Sequence, residues 1–179
     1  MRLTRYTDYS LRVLMYAGAR GDRVSTIAEI ARAYGISRDH LMKVVQELGR
    51  AGYLRNVRGR FGGILLARPA AEIVVGEVVR RTEADFELVE CGSCVIAPAC
   101  GVTGALREAL DAFMSVLDGY TLDDLLTRRG DMMMLFAEVP AGPPAATLAG
   151  AEAASHSAAP PPLTPEPPPA HGSPNVGGH

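Results

Sequence analysis

The chain lacks the sequence features of membrane and secreted proteins. It has no apolar run long enough to cross a bilayer, and its N-terminus has no apolar segment before a small-residue cleavage site. Only three cysteines are present, and an odd number without a secretory signal argues against a disulfide framework. We therefore expect a cytoplasmic protein whose thiols stay reduced and free to bind metal.

Lysine and arginine are also missing from one part of the chain, residues 137–179. The formal net charge is +7 over residues 1–80, −6 over 81–136 and −3 over 137–179. A basic first half joined to an acidic second half suggests a polyanion-binding module attached to a different one. Residues 137–179 are predicted to form a disordered Pro/Ala-rich tail, since such a composition cannot bury enough apolar surface to offset its chain entropy.

The first 50 residues have the pattern of three helices that include a helix-turn-helix. Apolar residues recur at helical spacing over 3–19, with Thr4 as the N-cap, and Thr26 and Glu29 have capping-box spacing at the start of a second helix. A glycine turn at residues 35–37 then leads into the predicted recognition helix, with Ser37 as its N-cap. The residues of this turn and helix that we expect to contact DNA are Ser37, Arg38, Asp39, His40, Lys43, Gln46 and Arg50.

A predicted β-hairpin follows the recognition helix directly, with strands at residues 53–57 and 64–67. Its turn carries Arg58, Gly59 and Arg60. Arginine is the side chain that enters a narrow minor groove, and glycine lets the backbone approach phosphates. The alternative is an ordinary helical hairpin whose charged face only contacts solvent, but a β-hairpin directly after the two helices argues against this interpretation. A short helix is predicted over residues 71–82, packed beneath the wing. Residues 1–82 are therefore predicted to be a winged helix-turn-helix DNA-binding domain, in a fold that is mainly α with a small β-hairpin wing.

All three cysteines lie within residues 83–101. Cys91, Cys94 and Cys100 are separated by turn residues and can converge on one point, and thiolates are the ligands that iron–sulfur clusters and zinc select. The residues alone leave three alternatives: an iron–sulfur cluster, a structural zinc site without an evident fourth ligand, and a thiol redox switch. No nucleophile–base constellation and no phosphate-binding glycine fingerprint is present, so we predict that the protein is not an enzyme.

Residues 102–136 are predicted to form a long helix and a short C-terminal one. Apolar residues of the long helix have heptad-like spacing: Val102, Leu106, Ala109, Phe113, Val116 and Tyr120. We expect one face to pack on its own domain and another on a second subunit, because helix-turn-helix proteins commonly bind two half-sites as dimers. The alternative is that both faces are internal. The short helix is predicted from Thr121, with Asp124 completing a capping box, to near Gly130.

Taken together, these motifs resemble the iron–sulfur winged-helix repressors, and within them the nitric-oxide-sensing NsrR-like members, which are relatives of IscR. The resemblance covers residues 1–139 and is carried by segments 3–9, 35–41, 49–54, 57–63, 94–100 and 120–125. It implies a homodimeric transcriptional repressor on a palindromic double-stranded operator. It also implies control by an iron–sulfur cluster, 4Fe–4S in preference to 2Fe–2S, that senses nitric oxide and regulates nitrosative-stress or denitrification genes.

The resemblance also assigns a fourth metal ligand. Asp8, which otherwise reads as a carboxylate near a positive helix N-terminus, matches the aspartate that NsrR-like proteins supply across the dimer. Thr103 stands where IscR-like members have a histidine ligand. Only Gly92 and Ser93 separate the first two cysteines, where NsrR-like loops have four or five residues. A regulator of another iron–sulfur or redox regulon, and a family member that binds DNA without a cluster, therefore remain alternatives.

Overall fold

The computed structural model describes residues 2–59 and 62–138. Within these ranges the elements are α1 (Arg5–Arg20), α2 (Ile27–Tyr34), α3 (Arg38–Arg50), β1 (Leu54–Val57), β2 (Gly63–Leu66), α4 (Val75–Thr82), α5 (Val102–Asp118), α6 (Leu122–Leu125) and α7 (Arg129–Glu138), with short 3-10 helices at Ala70–Glu72 and Ala97–Ala99. The predicted fold class, mainly α with one β-hairpin, is confirmed. In this part of the chain no helix is both long and apolar enough to cross a membrane.

The predicted helix N-caps are present in the structure. The Thr4 hydroxyl accepts a hydrogen bond from the backbone N–H of Thr7 at 3.3 Å. Thr26 and Glu29 form both bonds of a capping box, at 2.7 and 3.2 Å, and the Ser37 hydroxyl accepts from the backbone N–H of His40. Because each of these bonds spans three residues, the starts of the first three helices could be predicted from local sequence.

Helix α1 lies at the centre of the main core. It contacts α2, α3, α4, α6, α7 and strand β2. The largest side chains that are completely or almost completely buried come from several of these elements: Leu14, Ile30, Leu41, Leu48, Ile73 and Leu122. Burying one such side chain stabilises the fold by roughly 1.5–3 kcal/mol. Any movement of α1 must therefore be transmitted to the helices that pack on it.

The hairpin is antiparallel and is attached to the segment that precedes α2. Its register pairs Leu54 with Leu66 and Asn56 with Ile64. Ser25 and Ile64 exchange two further backbone hydrogen bonds, at 3.0 and 2.8 Å. Gly63 is required beside this bridge, since a Cβ there would lie 2.3 Å from the Ser25 carbonyl oxygen. The base of the wing is thus held against the helix-turn-helix.

The structure corrects the prediction of a single helix over residues 71–82. A 3-10 turn at Ala70–Glu72 is followed by two extended residues, and α4 begins only at Val75. The backbone around Ile73 pairs instead with residues 120–122: Leu122 donates to the Ile73 carbonyl at 2.8 Å, and Val75 donates to the Tyr120 carbonyl at 2.9 Å. This long-range pairing satisfies backbone groups that a continuous helix would otherwise satisfy.

Helices α4 and α5 form a smaller core together. Val75 and Val79 are buried against Met114, with Phe113 and Leu117 packed beside them. At its edge two hydrogen bonds of 2.6 Å join the guanidinium of Arg80 to the carboxylate of Asp118. This pair lowers the pKa of Asp118 below its usual value, because the carboxylate accepts both bonds in its charged form. This smaller core and its ion pair connect the winged helix-turn-helix to the long helix α5.

The C-terminal part differs from the prediction of one helix ending near Gly130. The capping box of Thr121 and Asp124 is present, at 2.8 and 3.3 Å, but α6 ends at Leu125 and a separate helix, α7, continues to Glu138. Phe136 of α7 packs on Tyr16 and Tyr34, with ring centroids 4.7 and 5.5 Å apart. Helix α7 thus includes the first two residues of the predicted tail; the rest, 139–179, lies outside the described residues.

Candidate DNA-binding surface and cysteine segment

Helix α3 exposes one polar face and buries the other. The predicted DNA-contacting residues of this helix are all exposed, whereas Leu41, Val44, Val45 and Leu48 face the core. A groove of about 580 Å³ separates α3 from strand β1, and Met42, Gln46 and Asn56 are among the side chains that line it. Asn56 was not among the predicted site residues; its exposed position on an alternating strand is the signal that could have found it.

Some polar side chains of α3 bind neighbouring side chains, whereas others have no such partner among the described residues. The Ser37 hydroxyl lies 2.9 Å from Nδ1 of His40, so these two side chains hold each other at the helix N-terminus. Arg50 forms an ion pair with Glu47. Within the described ranges Arg38 and Lys43 take part in no ion pair. Their charges are therefore the ones on this face that are free to meet phosphates.

The wing places a basic turn beside this helix. Arg58 and Gly59 are exposed, and Gly59 has a φ of 115°, a conformation that other residues rarely adopt. Arg60 lies outside the described residues, so its predicted contact with DNA stays a prediction. The exposed face of α3 and the turn at Arg58 together form what we call the basic surface.

The cysteine segment is built from three successive turns. The backbone N–H of Cys94 donates to the Cys91 carbonyl at 3.2 Å, that of Ala97 to the Cys94 carbonyl at 3.1 Å, and that of Cys100 to the Ala97 carbonyl at 3.3 Å. All three thiols are free; Cys94 is exposed and the other two are partly buried. The turns therefore bring the three cysteines into one short, accessible segment.

The donor chemistry of this segment fits a soft metal centre but provides only three ligands. Three uncombined thiols within ten residues are the donors that iron–sulfur clusters use. The side chain beside Cys91 is Thr103, with its hydroxyl 3.4 Å from the sulfur. Among the described residues, no three His, Cys, Asp or Glu side chains are grouped closely enough to hold a metal ion, so the structure does not bring the three thiols to the single point that the sequence predicted. A cluster would require these thiols to move closer together and a fourth donor from outside the segment.

Asp8, the predicted fourth ligand, lies in the first turn of α1 and is bound to a neighbour on the same helix. Its Oδ1 accepts a hydrogen bond of 2.9 Å from Nε of Arg12. Both side chains are about half exposed, at 44 and 41%. The guanidinium carbon of Arg12 also lies 5.6 Å from the ring centroid of Tyr34. Arg12 was not among the predicted site residues, although its i,i+4 spacing from Asp8 is a signal for such a pair.

Tyr34 links this pair to the helix-turn-helix. It is the last residue of α2, immediately before Gly35, whose φ of 64° reverses the chain. Burial raises the pKa of Tyr34 to about 12, although the positive charge of Arg12 opposes part of that rise. The tyrosine hydroxyl is therefore neutral near pH 7.

Comparison with known proteins defines the family. The family model described as "Rrf2: Iron-dependent Transcriptional regulator" matches residues 3–128. The chain belongs to the Rrf2 family. Members are transcriptional regulators, so the predictions of a DNA-binding regulator and of a protein that is not an enzyme are confirmed.

The most similar Rrf2 relatives include proteins named HTH-type transcriptional regulator NsrR. That of Bacillus subtilis strain 168 is 51% identical over 141 residues, which are 75% of this chain and 97% of the relative. That of Geobacillus kaustophilus HTA426 is also 51% identical, over 77% of this chain and 98% of its own. Protein aau3 of Rhizobium meliloti strain 1021 is 48% identical over 80 and 97%. The predicted resemblance to NsrR-like regulators is thus confirmed.

Solved structures support the same winged-helix fold. The oxidized form of CymR from Staphylococcus aureus superposes with a TM-score of 0.60 at 26% identity, covering 71% of this chain and 97% of CymR. IscR of T. potens superposes with a TM-score of 0.57 at 24% identity, covering 72% of this chain and 88% of IscR. At such low identity IscR supports the fold alone.

Proposed function

We propose that the protein is a homodimeric transcriptional repressor whose binding to a palindromic operator is controlled by an iron–sulfur cluster that senses nitric oxide. Its targets would be genes of nitrosative stress or denitrification. The observation that carries the proposal is the segment of three free thiols, Cys91, Cys94 and Cys100, in a chain about half identical to proteins named NsrR. Identity over nearly the full length of those relatives supports carrying their role to this chain.

The basic surface supports DNA binding in major and adjacent minor grooves. Gln46 and Arg38 are exposed on α3 and have side chains that can bond base edges in bidentate fashion. Lys43 and Arg58 suit phosphate contacts. Because these contacts release counterions, operator affinity should fall steeply as salt rises.

The exposed apolar stripe of α5 supports a dimer. Val102 and Val116 of α5 are 55 and 61% exposed and Tyr120, just after the helix, is 48% exposed, while Met114 of α5 is buried against α4. One face of α5 thus packs on its own domain and another is open to a second copy, as the heptad-like spacing predicts. In a two-fold symmetric dimer the two recognition helices, one α3 from each subunit, match the two half-sites of a palindromic operator.

In the proposed dimer, three thiolates from one subunit and Asp8 of the partner subunit would hold the cluster. A bound cluster would supply iron that reacts with nitric oxide, and the carboxylate would be its weakest ligand, since carboxylate binds iron less firmly than thiolate. Asp8 belongs to α1, which packs directly on α3. Loss of Asp8 as a ligand would let α1 and α3 move together, and a change of a few kcal/mol is enough to release an operator.

Anaerobic purification with iron and sulfide counting tests the proposal, followed by operator binding at fixed salt before and after nitric oxide is added. We expect a brown protein with a stoichiometric cluster, tight binding before exposure and at least tenfold weaker binding after it. The Cys94→Ser variant is the matched control and should be insensitive to nitric oxide. Oxygen-free protein without iron, or binding that survives both nitric oxide and removal of iron, would rule the sensor out.

A thiol switch is the second candidate. The accessible Cys94 lies one turn from Cys91, and the structural relative CymR has been solved in an oxidized form. If metal analysis finds no iron, and if an oxidant removes two thiols per chain and changes operator affinity, this candidate replaces the cluster. A colourless protein with one zinc per chain would support the structural-zinc alternative instead.

A further inference from the structure

We propose that Met42 is a specificity-determining residue of the recognition helix α3, and that it contacts the methyl group of a thymine in the operator. The inference rests on the proposed function only in taking α3 as the helix that enters the major groove. It requires neither the iron–sulfur cluster nor Asp8 as a ligand. It adds a preference for a thymine at one position of each half-site.

Met42 is an exception in the burial pattern of the winged helix-turn-helix. Among the residues of this domain that the structure describes, 2–59 and 62–82, it is the only large apolar side chain that is exposed, and its exposed fraction is 49%. A single exposed apolar residue is common on protein surfaces. Its position on the helix and its neighbours therefore decide what it contacts.

The residues one helical turn before and after Met42 are suited to reading bases. Arg38 lies four positions before it and Gln46 four positions after it, and all three side chains are exposed. Residues at this spacing share one face of a helix. In the major groove arginine pairs with guanine and glutamine with adenine, whereas the methyl group of thymine is the feature that an apolar side chain contacts. Met42 thus lies within a row of base-reading side chains and has the chemistry to read thymine.

The groove between α3 and β1 offers space and further apolar surface beside Met42. Its volume is about 580 Å³. Met42 and Gln46 line it together with the buried side chains of Val45 and Leu54 and the exposed side chain of Asn56. A methyl group that approaches Met42 from this side therefore meets a partly apolar lining, and contact with it removes apolar surface from water.

The charges around Met42 favour DNA over an apolar protein surface as its partner. Arg38 and Lys43 are exposed on the same helix, and within the described ranges neither forms an ion pair. A partner that covers Met42 must also cover these two cations. Phosphates would neutralise them, whereas an apolar protein surface would take their charges out of water without a partner.

The spacing along α3 predicts where the thymine lies in the half-site. Four residues of an α-helix span about 6 Å, and successive base pairs are about 3.4 Å apart. Met42 and Gln46 therefore reach base pairs that are about two steps apart or closer. We expect the thymine that Met42 contacts to lie within this distance of the base that Gln46 contacts.

Replacement of thymine by uracil tests the contact, because it removes the methyl group and keeps the hydrogen-bonding groups of the base pair. The probe is a DNA duplex that the full-length protein, purified without oxygen, selects from a pool of random sequences. Each thymine of one half-site is replaced singly by deoxyuridine, and the dissociation constant is measured at fixed salt. The proteins compared are the wild type, Met42→Leu, Met42→Gln and the matched control Gln46→Ala.

We expect one thymine whose replacement weakens binding by the wild type about three- to fivefold, the effect of one buried methyl group. Met42→Leu should keep most of this effect because leucine is also apolar. Met42→Gln has a side chain of similar length but polar, and it should lose the effect. Gln46→Ala should bind every duplex more weakly and still show it. Because both positions are exposed, each variant should unfold at a temperature close to that of the wild type, which confirms that it is folded.

The outcomes distinguish the inference from the proposed function. If no thymine shows the effect, or if Met42→Gln shows it as strongly as the wild type, the methyl contact is refuted and DNA binding stands. If Gln46→Ala loses the effect as completely as Met42→Gln does, the effect reports the docking of the whole helix and the assignment to Met42 is wrong. If no duplex is enriched above random sequence, the proposed function fails and the inference fails with it.

Discussion

A methyl group added at Gly76 is expected to destabilise the packing of α4 against α5. A Cβ at this position would lie 2.0 Å from Oδ1 of Asp118 and 3.1 Å from its backbone nitrogen. The carboxylate can turn away only by giving up its two bonds to Arg80, and the backbone nitrogen cannot turn at all. In the Gly76→Ala variant the two helices must therefore move apart by several tenths of an ångström.

Two opposing effects set the magnitude. Overpacking a well-packed contact destabilises by about 1–3 kcal/mol, whereas replacing a helical glycine by alanine stabilises by about 0.5–1 kcal/mol. The free energy of unfolding of Gly76→Ala should thus fall by about 1–2 kcal/mol. Gly104→Ala is the matched control, because it makes the same change in α5 where, among the described residues, no atom outside the adjoining backbone of that helix lies within 4 Å of the new Cβ. That variant should be more stable than wild type by about 0.5–1 kcal/mol.

Urea unfolding followed by circular dichroism measures both changes, since the chain has no tryptophan to report by fluorescence. The reduced, metal-free protein is used throughout, and a change in midpoint at constant m-value reports stability. In an Asp118→Ala background the closest contact is gone, so Gly76→Ala should destabilise less. Equal or greater stability of Gly76→Ala than of wild type, or an undiminished loss in that background, would refute the reasoning.

Three further predictions concern the DNA-binding half. Thr26→Ala removes the cap of α2 and should lower the free energy of unfolding by about 1 kcal/mol in urea, whereas Thr26→Ser should keep most of it. The pKa of Tyr34, about 12 in the folded protein, exceeds that of an unfolded tyrosine, about 10. Stability relative to Tyr34→Phe should therefore be constant below pH 10 and fall as pH rises from 10 toward 12, and a flat difference would contradict this. Lys43→Gln should weaken operator binding about equally for all operator sequences. If each subunit of a dimer loses one phosphate contact, the slope of log K against log salt concentration should become shallower by about 1.8. An unchanged slope would show that Lys43 does not contact DNA.

The parts of the fold that could be predicted from sequence are those fixed by local interactions. The caps at Thr4, Thr26 and Ser37 depend on residues three positions away, and the two faces of α3 follow from helical periodicity. The start of α4 was missed because the backbone around Ile73 pairs with residues 120–122, nearly fifty positions later. Rules based on neighbouring residues cannot predict a hydrogen-bond partner so far along the chain.

The candidate site could likewise be predicted from sequence only where residue type decides the chemistry. Sequence could mark the three cysteines as candidate donors, because residue type decides which metals they suit, but it could not show how far apart the thiols lie. It could not show that Arg12 holds Asp8 while lying over Tyr34, since Tyr34 belongs to another helix. It also could not show Phe136 packed on Tyr34, because the sequence of α7 has no clear helical periodicity.

Helix α1 is the element through which the cysteine segment and the reading helix are connected within one subunit. At its N-terminus, Glu83, the first residue of the predicted cysteine segment, accepts hydrogen bonds of 2.8 and 3.1 Å from the backbone N–H and the hydroxyl of Thr4. Toward its C-terminus, Arg20 pairs with Glu29 of α2 at 3.2 Å. Its middle is buried against α3. The contact at Glu83 therefore joins the start of the predicted cysteine segment, residues 83–101, to α1, and the packing of α1 joins it to α3 of the same subunit.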